Sequence, residues 1–362
     1  MGEEAISKKL TLQKNGELEE FANDVAACLS SKIKYLSPKY FYDEAGSQLF
    51  EQICVQPEYY ITRIEASLLK NNAPIVSNLV GRNINIIELG SGSSSKTAIL
   101  LSYLSSQKKR ICYFPIDISS KILMESELKL KSQFPDAVIK GIRSDYNTGI
   151  DMAAAECMAS EKTHQKKNKK NNKNNAGDDQ ERHEDHRSSN NLYSKLILFL
   201  GSSIGNFEVM EAKTFLRSVR QKLSAKDFLI VGFDLQKDES TLNAAYNDEA
   251  GITAKFNLNL LARINRELGG NFDLGKFEHC AFYNRDQHRI EMHLVSKIDQ
   301  SVDIGVLAKT FWLRKGERMH TENSYKYSLS QISALAEDSG FKIEKSFTDK
   351  KRLFNLALLS PS

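Results

Sequence analysis

Apolar residues follow two alternating periodicities in the middle of this chain. Short, almost continuous apolar runs predict buried strands at residues 84–89, 110–115, 137–140, 195–200 and 227–233. Apolar residues spaced three and four positions apart predict helices between them, at residues 96–104, 119–134 and 209–223. Strands and helices that alternate in this way form βαβ units, so we expect a parallel sheet covered by helices on both faces.

The pattern differs on either side of this region. Helical periodicity at residues 17–29, 47–54 and 64–79 precedes the first strand, and residues 57–63 are expected to form an ordered loop. The alternation stops after residue 233 and resumes with a helix at 330–339 and two strands at 342–348 and 354–360, expected to form an antiparallel hairpin at the sheet edge. We therefore expect one domain of residues 63–245 plus 328–362, and a second lobe of residues 1–62 plus 246–327.

Residues 161–191 depart from both patterns because they are almost wholly polar. Their first half is rich in lysine and asparagine, and their second half mixes both charges. Such a segment has too little apolar surface to offset the entropy lost on ordering, so we expect a disordered insertion in a surface loop. RNA binding through these lysines is the competing interpretation, and it predicts strongly salt-dependent binding.

The composition narrows the class of protein. Hydrophobic residues make up 41% and charged residues 27% of the 362 residues, as in soluble globular domains. The net charge of +4 is too small for this length to indicate nucleic-acid binding. The five cysteines form no Cys-x-x-Cys pair, residues 1–5 are acidic and lack the apolar core of a signal peptide, and no apolar run is long enough to span a membrane. We therefore expect a cytoplasmic protein with reduced thiols and no membrane span.

A glycine-rich turn follows the first predicted strand. Glu88 ends the strand, and Gly90 and Gly92 follow it, where they would let the backbone approach a ligand closely. The third glycine of the dinucleotide fingerprint is absent, so S-adenosylmethionine fits this turn better than a nicotinamide cofactor. A nicotinamide-dependent oxidoreductase and a plain tight turn remain the alternatives.

Polar residues also follow the next three strands. Asp117 is placed to accept both hydroxyls of a ribose, with a helix N-cap role as the alternative. Asp145 and Tyr146 suit the amino group and ring of an adenine, although an ordinary turn explains them equally well. Two glycines and Asn206 lie in residues 201–206, and the Asn206 amide offers the donor and the acceptor that a substrate amino acid requires.

The predicted lobe contains one further candidate. Residues 318–327 lack a helical stripe, and Glu322 and Ser324 would share a face if this run is extended. That pair could hold a ring with two nitrogens. Without further information, a surface strand is the preferred interpretation.

These motifs together resemble a known family, the S-adenosylmethionine-dependent histidine Nα-methyltransferases, which form hercynine, the first intermediate of ergothioneine. The resemblance covers nearly the whole chain apart from residues 161–191. Two departures from the family pattern are Ile61, where proline is common, and Ser203, where threonine is usual. The motifs that carry the resemblance are Tyr40-Phe-Tyr-Asp43, Pro57-Glu-Tyr-Tyr60, Glu88-Leu-Gly-Ser-Gly92, Gly201-Ser-Ser-Ile-Gly-Asn206, Tyr246-Asn-Asp248, Gly251-Ile-Thr-Ala254, Asn265-Arg-Glu-Leu-Gly269, Ile290-Glu-Met292 and Thr321-Glu-Asn-Ser324.

The resemblance implies a class I methyltransferase-like (Rossmann-like) α/β fold with an inserted α+β substrate-binding lobe. It implies a monomer that takes S-adenosylmethionine as methyl donor and L-histidine as substrate, without metal or nucleic acid. A related branch methylates a prenylated tryptophan, which is the alternative substrate class. The methyl donor is expected on Tyr59, Gly90, Lys96, Asp117, Asp145 and Tyr146. The amino acid moiety is expected near Tyr42, Gly201, Asn206 and Tyr246, with Tyr42 and Asn206 as catalytic residues at the amine, and the imidazole is expected against Met292, Glu322 and Ser324.

Overall fold

The structure, a computed structural model, describes residues 3–158 and 193–362. Its helices are α1 (Glu3–Ser30), α2 (Glu44–Cys54), α3 (Ile61–Leu79), α4 (Ser95–Ser106), α5 (Ser120–Gln133), α6 (residues 146–158), α7 (Val209–Gln221), α8 (Glu239–Tyr246), α9 (Ile252–Leu268) and α10 (Leu329–Asp338). Its strands are β1 (Asn83–Leu89), β2 (Arg110–Asp117), β3 (Val138–Ile139), β4 (Ile142–Arg143), β5 (Tyr193–Phe199), β6 (Phe228–Asp234), β7 (Phe277–Asn284), β8 (Arg289–Ser296), β9 (Gln300–Ile304), β10 (Lys309–Leu313), β11 (Arg318–Tyr325), β12 (Phe341–Thr348) and β13 (Phe354–Pro361).

The chain divides into two compact units, each built from two stretches of sequence. The first, here called the lobe, comprises Met1–Tyr60 and Lys237–Tyr325, and the second, here called the sheet unit, comprises Ile61–Gln236 and Lys326–Ser362. The boundary expected after residue 245 falls inside the last turn of α8, whereas the division between the two units precedes this helix. The reason is that α8 is tied to β7, since the Tyr283 amide donates to the Asn243 side chain at 2.7 Å.

The sheet unit is built on one eight-stranded sheet. Its strand order is β12-β13-β6-β5-β1-β2-β3, and β4 also pairs with β2. Strand β1 runs parallel to β2 and β5, and β5 runs parallel to β6. The β12–β13 hairpin is antiparallel and adds to β6. The class I methyltransferase-like α/β fold, with its antiparallel hairpin at the edge, is therefore confirmed.

Burial explains why the strands were visible in the sequence. All seven residues of β1 are buried, so the strand contacts other side chains on both faces, and its apolar residues Ile84, Ile86, Ile87 and Leu89 gave the pattern. The run predicted at residues 137–140 was wrong in its extent, since the structure has two two-residue strands there. Between them, the Gly141 amide donates to Glu127 Oε2 at 2.9 Å instead of continuing the ladder.

The loop predicted at residues 57–63 was also wrong in part, because α3 begins at Ile61. Ile61 is buried and starts the apolar face that continues through Leu68 and Leu69. It stands at the first helical position, which also suits the proline that is common there in the resembled family. The prediction for residues 161–191 lies outside the described residues.

The lobe has its own α+β architecture. Strands β11, β8 and β7 form an antiparallel three-stranded sheet, and β9 pairs with β10. Helix α9 contributes Phe256, whose ring stacks on Phe41 with centroids 4.4 Å apart. Asp43 ties the segment before α2 to α9, because Asp43 Oδ1 accepts hydrogen bonds from Gly46 N at 2.7 Å and Asn259 Nδ2 at 2.8 Å. The segment that carries Tyr42 is thereby fixed within the lobe.

Candidate active site

The turn between β1 and α4 has the geometry that the glycines suggested. Gly90 and Gly92 have φ values of +66° and +50°, which favour glycine. The amides of Gly90 and Ser91 donate to the Ile116 carbonyl at 2.9 and 3.0 Å, so the turn is fixed against β2. A Cβ atom on Gly90 would lie 3.2 Å from the Tyr146 hydroxyl. The structure therefore brings Gly90 and Tyr146 together.

Asp117 lies where β2 ends, beside this turn. Its Oδ2 accepts a hydrogen bond from Gly92 N at 2.9 Å, and its Oδ1 accepts one from Ser119 N at 2.9 Å. Burial raises the pKa of Asp117, although these amides oppose the rise. The N-cap of α5 is Ser119, whose side chain makes no capping hydrogen bond, and Asp117 contacts the Ser119 amide from outside the helix, so neither residue fills the capping role of the alternative interpretation. Each carboxylate oxygen has a second acceptor site, so the geometry is compatible with a ribose.

Asp145 precedes α6, and Tyr146 is the first residue of that helix. Asp145 is exposed, and its Oδ1 accepts a hydrogen bond from Thr148 N at 3.0 Å, which is a helix-capping contact. Tyr146 packs at an angle against Phe199 and Phe215, with ring centroids 5.3 and 5.9 Å away. The hydrogen bond from Thr148 agrees with the interpretation of Asp145 as part of an ordinary turn. Tyr146 is the residue of this pair that lies against the glycine turn.

Glu88 is a buried acid directly before the glycine turn. Thr97 Oγ1 donates to Glu88 Oε1 at 2.7 Å, and the Tyr113 hydroxyl also donates to this carboxylate. Burial raises the pKa of Glu88 to about 7, and the two hydrogen bonds only partly oppose this effect. The sequence marked Glu88 only as the end of a strand, and its burial could not be read from the pattern.

The turn after β5 carries Gly201 and Asn206. Gly201 has a φ of +77° and Ser202 one of +58°, and residues Ser203–Asn206 form a short 3-10 helix. Ser202 Oγ accepts a hydrogen bond from Asp234 N at 3.0 Å, which ties the turn to the end of β6. Ser203 Oγ donates to the Leu200 carbonyl at 2.9 Å, a bond that threonine could make equally well.

Sequence reasoning missed Glu65, which connects two of the predicted residues. Its carboxylate accepts hydrogen bonds from Lys96 Nζ and from Gly201 N. Lys96 and Gly201 are thus brought to one partner within the sheet unit. The available signal was a carboxylate on the apolar stripe of a predicted helix, where a polar side chain needs a buried partner.

In the lobe, the residues predicted to contact the imidazole lie on adjacent strands. Glu322 on β11 is the register partner of Met292 on β8, and Tyr246 Oη donates to Ser324 Oγ at 2.7 Å. Met292, Glu322 and Ser324 are 2%, 8% and 3% exposed, so the surface-strand interpretation was wrong. The strand itself could be expected from the alternation, but its burial could not.

Tyr42 and Tyr59 lie in the same unit as these residues. Tyr59 contacts the Tyr246 ring edge-on with centroids 6.4 Å apart, and Tyr42 contacts Phe256 with centroids 5.7 Å apart. Burial raises the pKa of Tyr59 well above its usual range. Electrostatic interactions raise this pKa further, and they involve Tyr246, Cys54, Tyr42 and Glu322. Tyr59, predicted with the donor-binding group, is therefore grouped with lobe residues, whereas Gly201 and Asn206, predicted for the substrate, belong to the sheet unit.

His279 is a second residue that the sequence did not indicate. Its Nε2 lies 2.9 Å from the Tyr246 carbonyl oxygen, and its Nδ1 lies 2.9 Å from Asn257 Nδ2. These partners require Nε2 to donate and Nδ1 to accept, which is the neutral imidazole. Burial lowers the pKa of His279, in agreement with that form. The contact fixes the backbone at Tyr246.

Some classes of site are not represented in the part of the chain that the structure describes. Within residues 3–158 and 193–362, no group of three or more His, Cys, Asp or Glu side chains is arranged to hold a metal ion. Over the same residues, no helix combines the length and apolarity needed to cross a membrane. The five cysteines are free thiols.

Comparison with known proteins adds to this geometry. Residues 21–361 match the family described as "Histidine-specific methyltransferase, SAM-dependent". The histidine N-alpha-methyltransferases of Mycolicibacterium smegmatis and Mycobacterium tuberculosis are 33% and 32% identical, over 94% and 92% of this chain and 94% and 93% of their own lengths. Ergothioneine biosynthesis protein 1 of Neurospora crassa is 30% identical over 83% of this chain and 30% of its own length. The chain therefore belongs to the S-adenosylmethionine-dependent, histidine-specific methyltransferase family.

Proposed function

We propose that this enzyme transfers three methyl groups, one at a time, from S-adenosylmethionine to the α-amino nitrogen of L-histidine, forming hercynine for ergothioneine biosynthesis. The observation that carries the substrate assignment is the buried trio of Met292, Glu322 and Ser324. It combines an apolar thioether, a carboxylate and a hydroxyl within one small region of the lobe. An imidazole has an apolar ring face and two nitrogens, which such a trio matches.

The sheet unit offers a suitable site for the methyl donor. Gly90 is exposed and has no side chain, so a nucleoside can approach its backbone. Asp117 retains acceptor capacity for the ribose hydroxyls, and the aromatic face of Tyr146 suits the adenine. We assign Lys96 to the anionic end of the donor, Asp145 to the adenine amino group, and Tyr59 to the donor as well, following the family resemblance.

The chemistry is an in-line displacement, for which S-adenosylmethionine supplies a sulfonium methyl group. A nitrogen–carbon bond forms while the sulfur–carbon bond breaks, and the sulfur keeps the electron pair. The chain contributes mainly by positioning the amine, a role that we assign to Tyr42 and Asn206. The amine must be uncharged before each transfer, so one proton leaves to water in each of the three rounds.

Glu322 distinguishes histidine from the tryptophan-type substrates of the related branch. A buried carboxylate left without a donor by an apolar ring is strongly unfavourable, so Glu322 selects against such rings. We propose that Gly201 and Tyr246 contact the amino acid moiety, which both substrate classes share. Specificity therefore depends mainly on the β8–β11 pair.

We further propose that the enzyme acts as a cytoplasmic monomer without metal. The five free thiols suit a reducing compartment.

The decisive experiment supplies purified protein with S-adenosylmethionine and each of the twenty amino acids in turn. Mass spectrometry should detect mono-, di- and trimethylated histidine and little product from other amino acids. Methylation of tryptophan in preference to histidine would support the alternative substrate. No methylation at all, together with salt-dependent RNA binding, would support the RNA-binding interpretation.

A further inference from the structure

Glu65 on α3 is a completely buried carboxylate, with 0% exposure. It lies on the helix face that also buries Ile61, Leu68 and Leu69. A buried carboxylate is strongly unfavourable unless charges and hydrogen bonds satisfy it. A carboxylate on this apolar helix face therefore requires partners that stabilise its charge.

The carboxylate has partners from two separate turns of the sheet unit. Lys96 Nζ, at the start of α4, forms an ion pair with Glu65 Oε2. Gly201 N, in the turn after β5, donates to Glu65 Oε1 at 2.9 Å and to Oε2 at 2.8 Å. One side chain thus fixes the ammonium after the β1 turn and the backbone after β5.

The neighbouring residues leave space for this arrangement. A Cβ atom on Gly232 of β6 would lie 2.1 Å from Glu65 Oε1 and 2.9 Å from Phe354 Cζ, so a side chain there would displace the carboxylate. A Cβ atom on Gly201 would lie 3.4 Å from Lys96 Nζ. Glycine at both positions allows the carboxylate, the ammonium and the turn to pack together.

Fold stability alone is a weak explanation for this ion pair. Replacing a buried ion pair with apolar side chains of similar volume is often neutral or even stabilising. The partners of Glu65 are instead one residue that we assign to the methyl donor and one that we assign to the amino acid. An ammonium has three hydrogen-bond donors, so Lys96 can hold Glu65 and still donate to an anionic group of the donor.

We propose that Glu65 is a positioning residue that sets Lys96 for the methyl donor and Gly201 for the amino acid from a single anchor. This inference rests on the function proposed above. Glu65 would act by two separate routes. It would affect binding of the methyl donor through Lys96, and binding of the amino acid through Gly201.

The test variant is Glu65→Gln, which keeps the shape of the side chain but removes its charge. The amide nitrogen of glutamine cannot accept from Lys96 or Gly201, so at least one partner loses its bond. We expect the Kd for S-adenosylhomocysteine and the KM for histidine each to rise roughly tenfold, as for loss of a charge-assisted hydrogen bond. Titration calorimetry and initial rates measure the two quantities.

A double-mutant experiment separates the routes. In a Lys96→Met background, adding Glu65→Gln should leave the Kd for S-adenosylhomocysteine unchanged but still raise the KM for histidine. Gly232→Ala should reproduce the effects of Glu65→Gln, because it displaces the carboxylate without touching Lys96 or Gly201. If the effects of Lys96→Met and Glu65→Gln on the Kd for S-adenosylhomocysteine are fully additive, Glu65 does not act on donor binding through Lys96.

Asp227 supplies a matched control in the same unit. It is also a buried acid, and it accepts a hydrogen bond from the backbone amide of Lys195 at 2.7 Å. Asp227 directly precedes β6, whereas Asp234 is the last residue of that strand, so the two acids lie at opposite ends of β6. Asp227→Asn should lower Tm and leave Kd and KM unchanged. If Glu65→Gln behaves in the same way, Glu65 is only structural and the inference fails. If wild-type protein neither binds S-adenosylhomocysteine nor methylates histidine, the proposed function fails instead.

Discussion

Met292 and Glu322 face each other as register partners on β8 and β11, and both side chains are buried. Direct partners on antiparallel strands have Cβ atoms about 5 Å apart, so the thioether and the carboxylate belong to one surface. A bulge between His320 and Glu322 shifts the register just before this pair. Such irregularities re-aim side chains and are common beside active sites.

The first prediction concerns Glu322→Ala. It should lower kcat/KM for histidine, because a charge-assisted hydrogen bond to the imidazole is lost. The expected loss of transition-state stabilisation is about 1.5–3 kcal/mol. Combining it with Met292→Val should enlarge the pocket, remove its charge and shift preference toward tryptophan. Steady-state kinetics with both amino acids provide the measurement.

Glu291→Gln is the matched control for this prediction. Glu291 neighbours Met292 on β8 but forms an ion pair with Arg289, and its register partner is Asn323. Successive strand residues point to opposite faces, so Glu291 should not contact the substrate. If Glu322→Ala methylates histidine as well as the control does, the imidazole is recognised elsewhere.

The second prediction concerns Asp117→Ala, which should abolish binding of S-adenosylhomocysteine while the fold survives. The variant loses both the proposed ribose contacts and the hydrogen bonds from Gly92 N and Ser119 N. Asp117→Asn keeps one acceptor oxygen, so it should retain weak binding. Titration calorimetry gives the affinities and circular dichroism monitors the fold. Unchanged affinity in Asp117→Ala would contradict the ribose assignment.

Features set by residues close together in the sequence could be predicted, whereas features set by contacts between distant positions could not. Glu88, Gly90 and Asp117 stand where buried strands end, and strand burial is visible in a local apolar pattern. Glu65 was missed because its partners lie 31 and 136 positions away along the chain. No local periodicity reports such a contact.

The same reasoning explains the two errors in the lobe and at the sheet edge. The buried state of Glu322 depends on its pairing with β8, so residues 318–327 alone suggested a surface strand. The break between β3 and β4 depends on a bond from Gly141 N to Glu127, which lies 14 positions earlier. Both outcomes are set by tertiary contacts and not by local propensity.

The third prediction tests the hydroxyl pair of Tyr246 and Ser324, whose oxygens are 2.7 Å apart. Tyr246→Phe and Ser324→Ala should each raise the KM for histidine roughly two- to tenfold, the range expected for one neutral hydrogen bond. The loss in the double variant should be smaller than the sum of the two single losses, because both substitutions break the bond between the two hydroxyls while each also removes its own proposed contact with the substrate. Fully additive losses would show that the bond between the two hydroxyls contributes nothing to substrate binding.

The last prediction uses the buried acid Glu88. Its ordinary pKa of 4.5 is raised to about 7 by burial in the folded chain. Between these two values the folded state binds more protons than the unfolded state, so the free energy of unfolding falls as pH rises through this window. The contribution of Glu88 to the free energy of unfolding is therefore fully present below pH 4.5 and is lost as the pH rises through 7. This loss amounts to at most about 3 kcal/mol.

Glu88→Gln removes this titration and keeps a side chain that can still accept from Thr97, which donates at 2.7 Å in the wild type. The variant should therefore unfold at a higher temperature than the wild type at pH 8, and its stability should depend less on pH between 4.5 and 7. Asp238→Asn is the comparison, because hydrogen bonds from Ser240 and Thr241 lower the pKa of Asp238 to about 2. That carboxylate is already ionised throughout the same window, so its removal should leave the slope there unchanged. Thermal unfolding of all three proteins from pH 4.5 to pH 8 measures the slopes. Equal slopes in wild type and Glu88→Gln would show that Glu88 is ionised throughout this range despite its burial.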